Sequence, residues 1–215
     1  MKKFITSFSI YGLIPIFGKF ISILLLPLYT RVLSPEDYGA QDVLVQLTIF
    51  LTFLINLDLY SGVGRYFYEK KDIIEKKKLI STGLWLTVIF SFIIVILAFI
   101  FNDFLYNLFF ETQKYKNAFI LIILWAPISA LFSYFSAIMN YQQKPKLFFI
   151  LSNIQLLIRI SATILFVLVF RFGVMGVILG HIVGESSAVL MFGFFLRKFF
   201  GFYFIKIALK FFLFF

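Results

Sequence analysis

The chain has 215 residues, of which 62% are hydrophobic and 14% are charged, and its mean hydropathy is +1.01. A soluble domain of this length needs far less apolar side chain, and several apolar runs exceed the roughly 20 residues that cross a bilayer. The formal net charge of +10 arises from basic residues between those runs, which favours anionic lipid headgroups over nucleic acid as the partner. Because the chain contains no cysteine and a single histidine, we predict no metal site and no cofactor.

The apolar runs predict an all-α, polytopic integral membrane protein, built as a bundle of six transmembrane helices. The basic N-terminus resembles that of a signal peptide, but the run after it contains Lys19 and lacks a small-residue cleavage site, so we interpret it as a retained span. We expect residues 1–200 to form the bundle and residues 201–215 to form a basic cytoplasmic or interfacial linker. The six predicted spans are residues 7–29, 41–63, 79–101, 117–140, 147–169 and 174–196.

Lysine and arginine residues in the connections predict the orientation of the spans. They concentrate at the N-terminus, after the second span, between the fourth and fifth spans, and after the sixth. The connections of the opposite side hold only Arg31, Lys114, Lys116 and Arg171. Under the positive-inside rule, this asymmetry places both termini in the cytoplasm. The basic run at residues 70–78 is most simply a solvated loop that anchors this topology, and a lipid-headgroup site is the alternative interpretation.

A helix start is predicted between the first two spans. Ser34 has the character of an N-cap, Pro35 suits the first helical position, and Glu36 and Asp37 place acids in the first turn. We expect Gly39 to let this helix pack closely against a neighbour.

Polar residues inside the predicted spans are costly, so their positions are informative. In the first span a small or polar residue recurs every three or four positions, which places these residues on one helix face with Lys19 near mid-span. A similar stripe crosses the fifth span, with Arg159 near its middle. The first stripe consists of Ser9, Gly12, Pro15, Lys19 and Ser22, and the second of Ser152, Gln155, Arg159 and Thr163.

The sixth span carries a ridge of small residues, which predicts close packing against another helix. His181 and Glu185 are four residues apart and lie beside that ridge. In the second span, Thr52 and Asn56 share one face. The ridge consists of Gly173, Gly176, Gly180 and Gly184.

The deep charges allow more than one interpretation. A cation at the bilayer centre costs roughly 2.5–3.5 kcal/mol on insertion scales. We therefore predict that Lys19 lines a water-filled cavity. Arg159 either shares that cavity or forms a structural ion pair with Glu185, and His181 is either a packing residue or a proton carrier.

Two segments carry a family resemblance. "LLLPLYTRVLSPEDYGAQDVL", followed by "LDLYSGVGRYFYEKK", resembles the first hairpin of bacterial polysaccharide exporters, the lipid-linked oligosaccharide flippases of the multidrug/oligosaccharidyl-lipid/polysaccharide superfamily. The resemblance implies one lobe of a two-lobe fold, in which two bundles of six helices rock in alternating access about a cationic cavity. It also implies that Lys19 is a cavity cation, with Arg159 and Arg65 as additional ones.

Residues and resemblance together predict a transporter of the bacterial cytoplasmic membrane. A cationic interior suits the pyrophosphate of a lipid-linked oligosaccharide, such as a polysaccharide or O-antigen repeat unit. Ser22, Gln155 and Asn56 are candidates for hydrogen bonds to sugar hydroxyls. Glu185 and His181 are candidates for ion or proton coupling.

Other functions are weighed against this prediction. A drug or cation antiporter of the same superfamily would favour acidic cavity residues, and a non-transporting membrane scaffold or fragment is a further alternative. An embedded enzyme would need acids, histidine or arginine clustered at a membrane face, and the loops show no such cluster, so we predict no enzymatic activity. Besides membrane lipids and the substrate, the expected partner is a second lobe or a second copy, because the sequence stops where the family's basic linker leads into a seventh span.

Overall fold

The computed structural model of the protein describes residues 32–201, and it is helical throughout that range. The predicted first span at residues 7–29, with Lys19 and Ser22, lies outside the described residues. The α-helices are α1 (Pro35–Asn56), α2 (Leu59–Glu69), α3 (Ile73–Ile100), α4 (Asn102–Phe109), α5 (Lys116–Tyr141), α6 (Pro145–Ile164) and α7 (Val174–Leu196). A π-helical turn, Leu165–Val169, extends α6. A short 3-10 turn, Gln113–Tyr115, precedes α5, and another, Arg197–Phe199, follows α7.

Within residues 32–201, five helical segments are long and apolar enough to cross a membrane. The described part of the chain is therefore an all-helical, multi-pass membrane protein, while a bundle of six spans stays a prediction. The predicted sixth span agrees with α7 at both ends, and the fourth agrees with α5 to within one residue. The predicted fifth span agrees with α6 when the π-helical turn to Val169 is included, whereas α3 begins at Ile73, well before the predicted start at residue 79. The five segments are Pro35–Asn56, Ile73–Ile100, Gln113–Tyr141, Pro145–Val169 and Val174–Phe199.

The predicted start of α1 is confirmed. The Ser34 hydroxyl accepts a hydrogen bond from the Asp37 backbone N–H at 3.1 Å, and Pro35 occupies the first helical turn. The expectation for Gly39 is wrong, because a methyl group added there would meet nothing within 4 Å. Gly39 is exposed, so its glycine serves no close helix contact within the described residues.

The second span is not the single helix predicted at residues 41–63. It breaks at Leu57 and Asp58, which both adopt the left-handed conformation (φ 39° and 57°), and a new helix then begins at Leu59. The Ser61 hydroxyl donates to Asp58 Oδ1 at 2.7 Å, and the Ser61 N–H donates to the Asp58 carbonyl at 3.0 Å. Aspartate tolerates the left-handed region better than most residues.

Helix α5 lies at the centre of the described bundle. Half of its apolar stretch is buried, a larger share than in any other candidate span of the described residues, and the helix packs against α1, α3 and α7. By contrast, α3 exposes large apolar side chains such as Phe92, Ile96 and Ile100 over its second half, as expected for a surface that faces lipid. Tyr134 of α5 ties the two helices together, because its hydroxyl donates to the Ile80 carbonyl of α3 at 2.7 Å.

The glycine ridge of α7 packs against α6, as predicted. A methyl group on Gly180 would lie 2.9 Å from Thr163 Cα, and one on Gly184 would lie 2.5 Å from Arg159 Cβ. Such distances let the two backbones approach closely, as small residues do in membrane helix pairs. Gly173 does not belong to the ridge, because it precedes α7 with φ +56° and has no neighbour within 4 Å of an added methyl. Its glycine is needed for the turn instead.

Connections assigned to the same side by sequence meet in the structure. At one end of the bundle, Lys114 Nζ lies 2.8 Å from Asp37 Oδ1, and the Tyr115 hydroxyl donates to the same oxygen at 2.8 Å. At the other end, the Ser81 hydroxyl donates to the Phe199 carbonyl at 2.9 Å. Which end faces the cytoplasm stays a prediction.

Candidate functional site in the transmembrane bundle

Glu185 lies near the middle of α7 and is buried, with 9% of its surface exposed. The indole N–H of Trp125 on α5 donates a hydrogen bond to Glu185 Oε2 at 2.6 Å. Ser129 lies one turn further along the same face of α5. A buried acid is tolerated in a span when protein groups take the place of water around it. Helix α5 therefore provides the polar environment that Glu185 needs.

His181 lies one turn before Glu185 on the same face of α7. Its ring packs against Trp125, with 4.9 Å between ring centroids and 48° between ring planes. A single indole thus contacts both ionisable side chains of α7. We call Trp125, His181, Glu185 and Arg159 the mid-bundle cluster.

Arg159 completes this cluster from α6. Its Cβ faces Gly184 across the close contact between α6 and α7, and its charge acts on both His181 and Glu185. No carboxylate oxygen lies within 4 Å of Arg159 among residues 32–201. The structural ion pair with Glu185, considered from sequence, is therefore absent, and the half-buried guanidinium has no acidic partner in the described part of the chain.

The predicted polar stripe of the fifth span is mostly a helix contact. Thr163 faces Gly180, and its hydroxyl donates to the Arg159 carbonyl at 2.8 Å. Gln155, one turn before Arg159, is buried with 8% of its surface exposed. Of the two predicted binding residues on α6, Arg159 thus keeps the greater exposure.

The break between α1 and α2 lies at the depth of the middle of α5. Asn56, the last residue of α1, donates from Nδ2 to the Ala130 carbonyl at 3.4 Å and has only 2% of its surface exposed. Its Oδ1 and the hydroxyl of Thr52 are buried and have no hydrogen-bond partner among residues 32–201. Interrupted helices at membrane depth occur where the backbone is buried in protein or lines a polar cavity.

A polar face continues from the break along α2. Asp58, Ser61 and Arg65 are spaced three and four residues apart and all are exposed, so they share one side of the helix. Arg65, predicted as a cavity cation, therefore shares this face with an acid and a hydroxyl. A carboxylate at this depth is stable only where protein or water, and not lipid, faces it.

From sequence, Trp125 was not singled out, and Asp58 was noted only as a polar residue of the second span on a different face from Thr52 and Asn56. Trp125 counts as apolar in any hydropathy pattern, although a buried indole N–H needs an acceptor and so points to a nearby polar group. The signal for Asp58 was its place in "NLDLYS", where an Asn and an Asp within three residues favour a break. Among residues 32–201, no three His, Asp or Glu side chains are close enough to hold a metal ion.

These features define a helical, multi-pass membrane protein with ionisable groups buried at mid-membrane. A family model described as "Polysaccharide biosynthesis protein" matches residues 4–215. The chain therefore belongs to the polysaccharide biosynthesis protein family, as the resemblance predicted. Comparisons with curated proteins and with solved structures gave no significant match.

Proposed function

We propose that the chain is one lobe of a flippase, which translocates lipid-linked oligosaccharide across the bacterial cytoplasmic membrane by alternating access. The observation that supports this most directly is Arg159, a half-buried cation at mid-span in a member of this family, with no carboxylate of the described residues within 4 Å. A guanidinium binds phosphate oxygens through two parallel hydrogen bonds. Arg159 accordingly binds the pyrophosphate that joins lipid and sugar.

The remaining binding residues are assigned to the sugar and to the rest of the anion. Lys19 and Arg65 supply further positive charge along the path. Ser22, Asn56 and Gln155 are assigned hydrogen bonds to sugar hydroxyls. The orphan Oδ1 of Asn56 supports this assignment, because it is an acceptor without a donor beside the helix break.

The acid of the mid-bundle cluster is assigned to energy coupling. Glu185 and His181 both act electrostatically on Arg159 from α7. Protonation of Glu185 removes the negative charge that faces Arg159, so the guanidinium then attracts an anionic substrate more strongly. Proton binding and substrate binding are coupled through that charge.

A second lobe, or a second copy of this chain, faces the polar side formed by Asp58, Ser61 and Arg65. Both termini lie in the cytoplasm in this arrangement. The proposal involves no chemical transformation, so the chain acts as a transporter and not as an enzyme.

Deletion of the gene in its host tests this function. The deletion strain should lose surface polysaccharide and accumulate lipid-linked repeat units on the inner leaflet, and the intact gene should reverse both changes. A gene encoding Lys19→Ala should reverse them poorly. Normal surface polysaccharide in the deletion strain would contradict the proposal, and full restoration by Lys19→Ala would remove Lys19 from it.

A further inference from the structure

A cavity of about 480 Å³ opens at the end of the bundle where α2 ends, α3 begins and the α5–α6 connection turns. This end carries the basic connections predicted to face the cytoplasm. The side chains that matter here are Phe67 and Lys76 from α2 and α3, Ile73 at the start of α3, and Tyr141, Gln142 and Lys144 around the α5–α6 turn. The cavity is separate from the mid-bundle cluster and shares no residue with it.

Two lysines give the cavity positive charge. Lys76 Nζ lies 4.6 Å from the ring centroid of Phe67, and Lys144 also lines the cavity. Within residues 32–201 neither ammonium has a carboxylate oxygen within 4 Å, whereas Lys70 nearby is paired with Glu75 at 3.1 Å. Two lysine side chains of the cavity therefore have no acidic partner in the described part of the chain.

A residue that lines the cavity also carries a hydrogen-bond donor without a partner among the described residues. Among residues 32–201, the buried side-chain nitrogen of Gln142 has no hydrogen-bond acceptor. Buried donors are nearly always satisfied, and this one belongs to a residue that lines the cavity together with two lysines, so it points to a ligand with acceptor oxygens. A phosphate group supplies such oxygens together with negative charge.

The rest of the cavity is apolar and lies at a membrane boundary. Ile73 is 64% exposed and Ile74 beside it is 56% exposed, although both open a helix that carries lysines in its first turns. Exposed isoleucines next to lysines are typical of a surface that meets the headgroup region of a bilayer. The cavity thus combines a site for phosphate with an apolar wall for the first carbons of an acyl chain.

We propose that this cavity binds the headgroup of an anionic glycerophospholipid. Lys76 and Lys144 hold the phosphate, the Gln142 amide donates to one of its oxygens, and Ile73 contacts the acyl chain. The lipid is a resident of the lobe and not its cargo, so the inference does not depend on what the flippase transports.

Lipid binding to the purified full chain tests this site. Native mass spectrometry in detergent should show phosphatidylglycerol retained and phosphatidylcholine lost. The double variant Lys76→Gln/Lys144→Gln should bind phosphatidylglycerol at least about tenfold more weakly, because two charge-assisted contacts are lost. The matched control Lys71→Gln/Lys77→Gln removes the same charge from lysines that do not line the cavity, and it should bind nearly as the unchanged protein does.

Three results would overturn the inference. The first is equal weakening by the control variant, which indicates diffuse attraction to the protein surface, and the second is equal retention of phosphatidylcholine. The third is displacement of phosphatidylglycerol by inorganic pyrophosphate, which indicates a site for free phosphate. If the double variant does not fold, Gln142→Met supplies the test. This substitution removes the orphan donor without changing charge, and it should still weaken retention.

Discussion

At the scale of single residues, the indole of Trp125 is the main support of the buried acid Glu185. Phenylalanine at position 125 keeps most of the ring but removes the N–H that donates at 2.6 Å. We expect Trp125→Phe to lower the free energy of unfolding by about 1–3 kcal/mol, because a buried charged or polar acceptor loses a partner. Chemical unfolding in detergent, followed by circular dichroism, measures this loss.

A double-mutant cycle with Glu185 isolates that hydrogen bond. Glutamine at position 185 keeps the shape of glutamate but reduces its demand for donors. In the Glu185→Gln protein, Trp125→Phe should therefore cost clearly less than it does alone. Equal cost in both backgrounds would mean that the indole contributes by packing against His181 and not through its N–H.

At the scale of helices, the glycines of α7 set the distance between α6 and α7. Gly180→Ala and Gly184→Ala place a methyl group against Thr163 and Arg159, and each should lower the free energy of unfolding by about 1–3 kcal/mol. The matched control is Gly39→Ala, where the added methyl meets nothing within 4 Å and a helical glycine is replaced. That control should raise stability by up to about 1 kcal/mol. If Gly180→Ala left the urea concentration at the midpoint of unfolding unchanged, the close contact between α6 and α7 would not contribute to stability at this position.

The helices themselves were largely predictable from sequence, because span length and capping are local properties. Ser34 and Pro35 fixed the start of α1, and the run bounded by Gly173 and Arg197 fixed α7. The break at Leu57 and Asp58 was missed because apolar residues continue on both sides of it, so the hydropathy pattern predicts one continuous span. The break coincides with two residues in the left-handed conformation and with a hydrogen bond between the Ser61 hydroxyl and Asp58, which a pattern of apolar residues does not record.

The site was less predictable than the helices, because it depends on contacts between residues far apart in sequence. The mid-span positions of Arg159, His181 and Glu185 followed from counting residues along the spans. That Glu185 binds Trp125 and not Arg159 depends on how α5 and α7 face each other, which only the packed bundle determines. The stripe of the fifth span looked like a cavity wall, yet a stripe of small and polar residues serves a tight helix contact equally well.

At the scale of the whole molecule, the two ends of the bundle are closed by different contacts. One end holds the Asp37, Lys114 and Tyr115 contacts, and the other holds the Ser81–Phe199 hydrogen bond. We predict that the first end is extracytoplasmic, because most basic connections lie at the other.

Labelling tests this orientation cleanly, because the natural sequence contains no cysteine. Glu36→Cys and Glu111→Cys should react with a membrane-impermeant maleimide in intact cells. Lys71→Cys should react only after the membrane is permeabilised. The reverse pattern of labelling would contradict the predicted orientation.

The central claim is that a mid-membrane cation of this lobe binds the anion of a lipid-linked oligosaccharide during translocation. The rate of flipping in proteoliposomes, measured for Arg159→Gln beside Arg171→Gln, tests it most directly. Both variants remove one arginine, but Arg171 is exposed in the connection between α6 and α7. With equal protein incorporated, Arg159→Gln should slow flipping by roughly 10–100-fold, as the loss of a charge-assisted contact to phosphate implies, while Arg171→Gln should flip at the unchanged rate. Equal flipping rates for the two variants and the unchanged protein would contradict the claim.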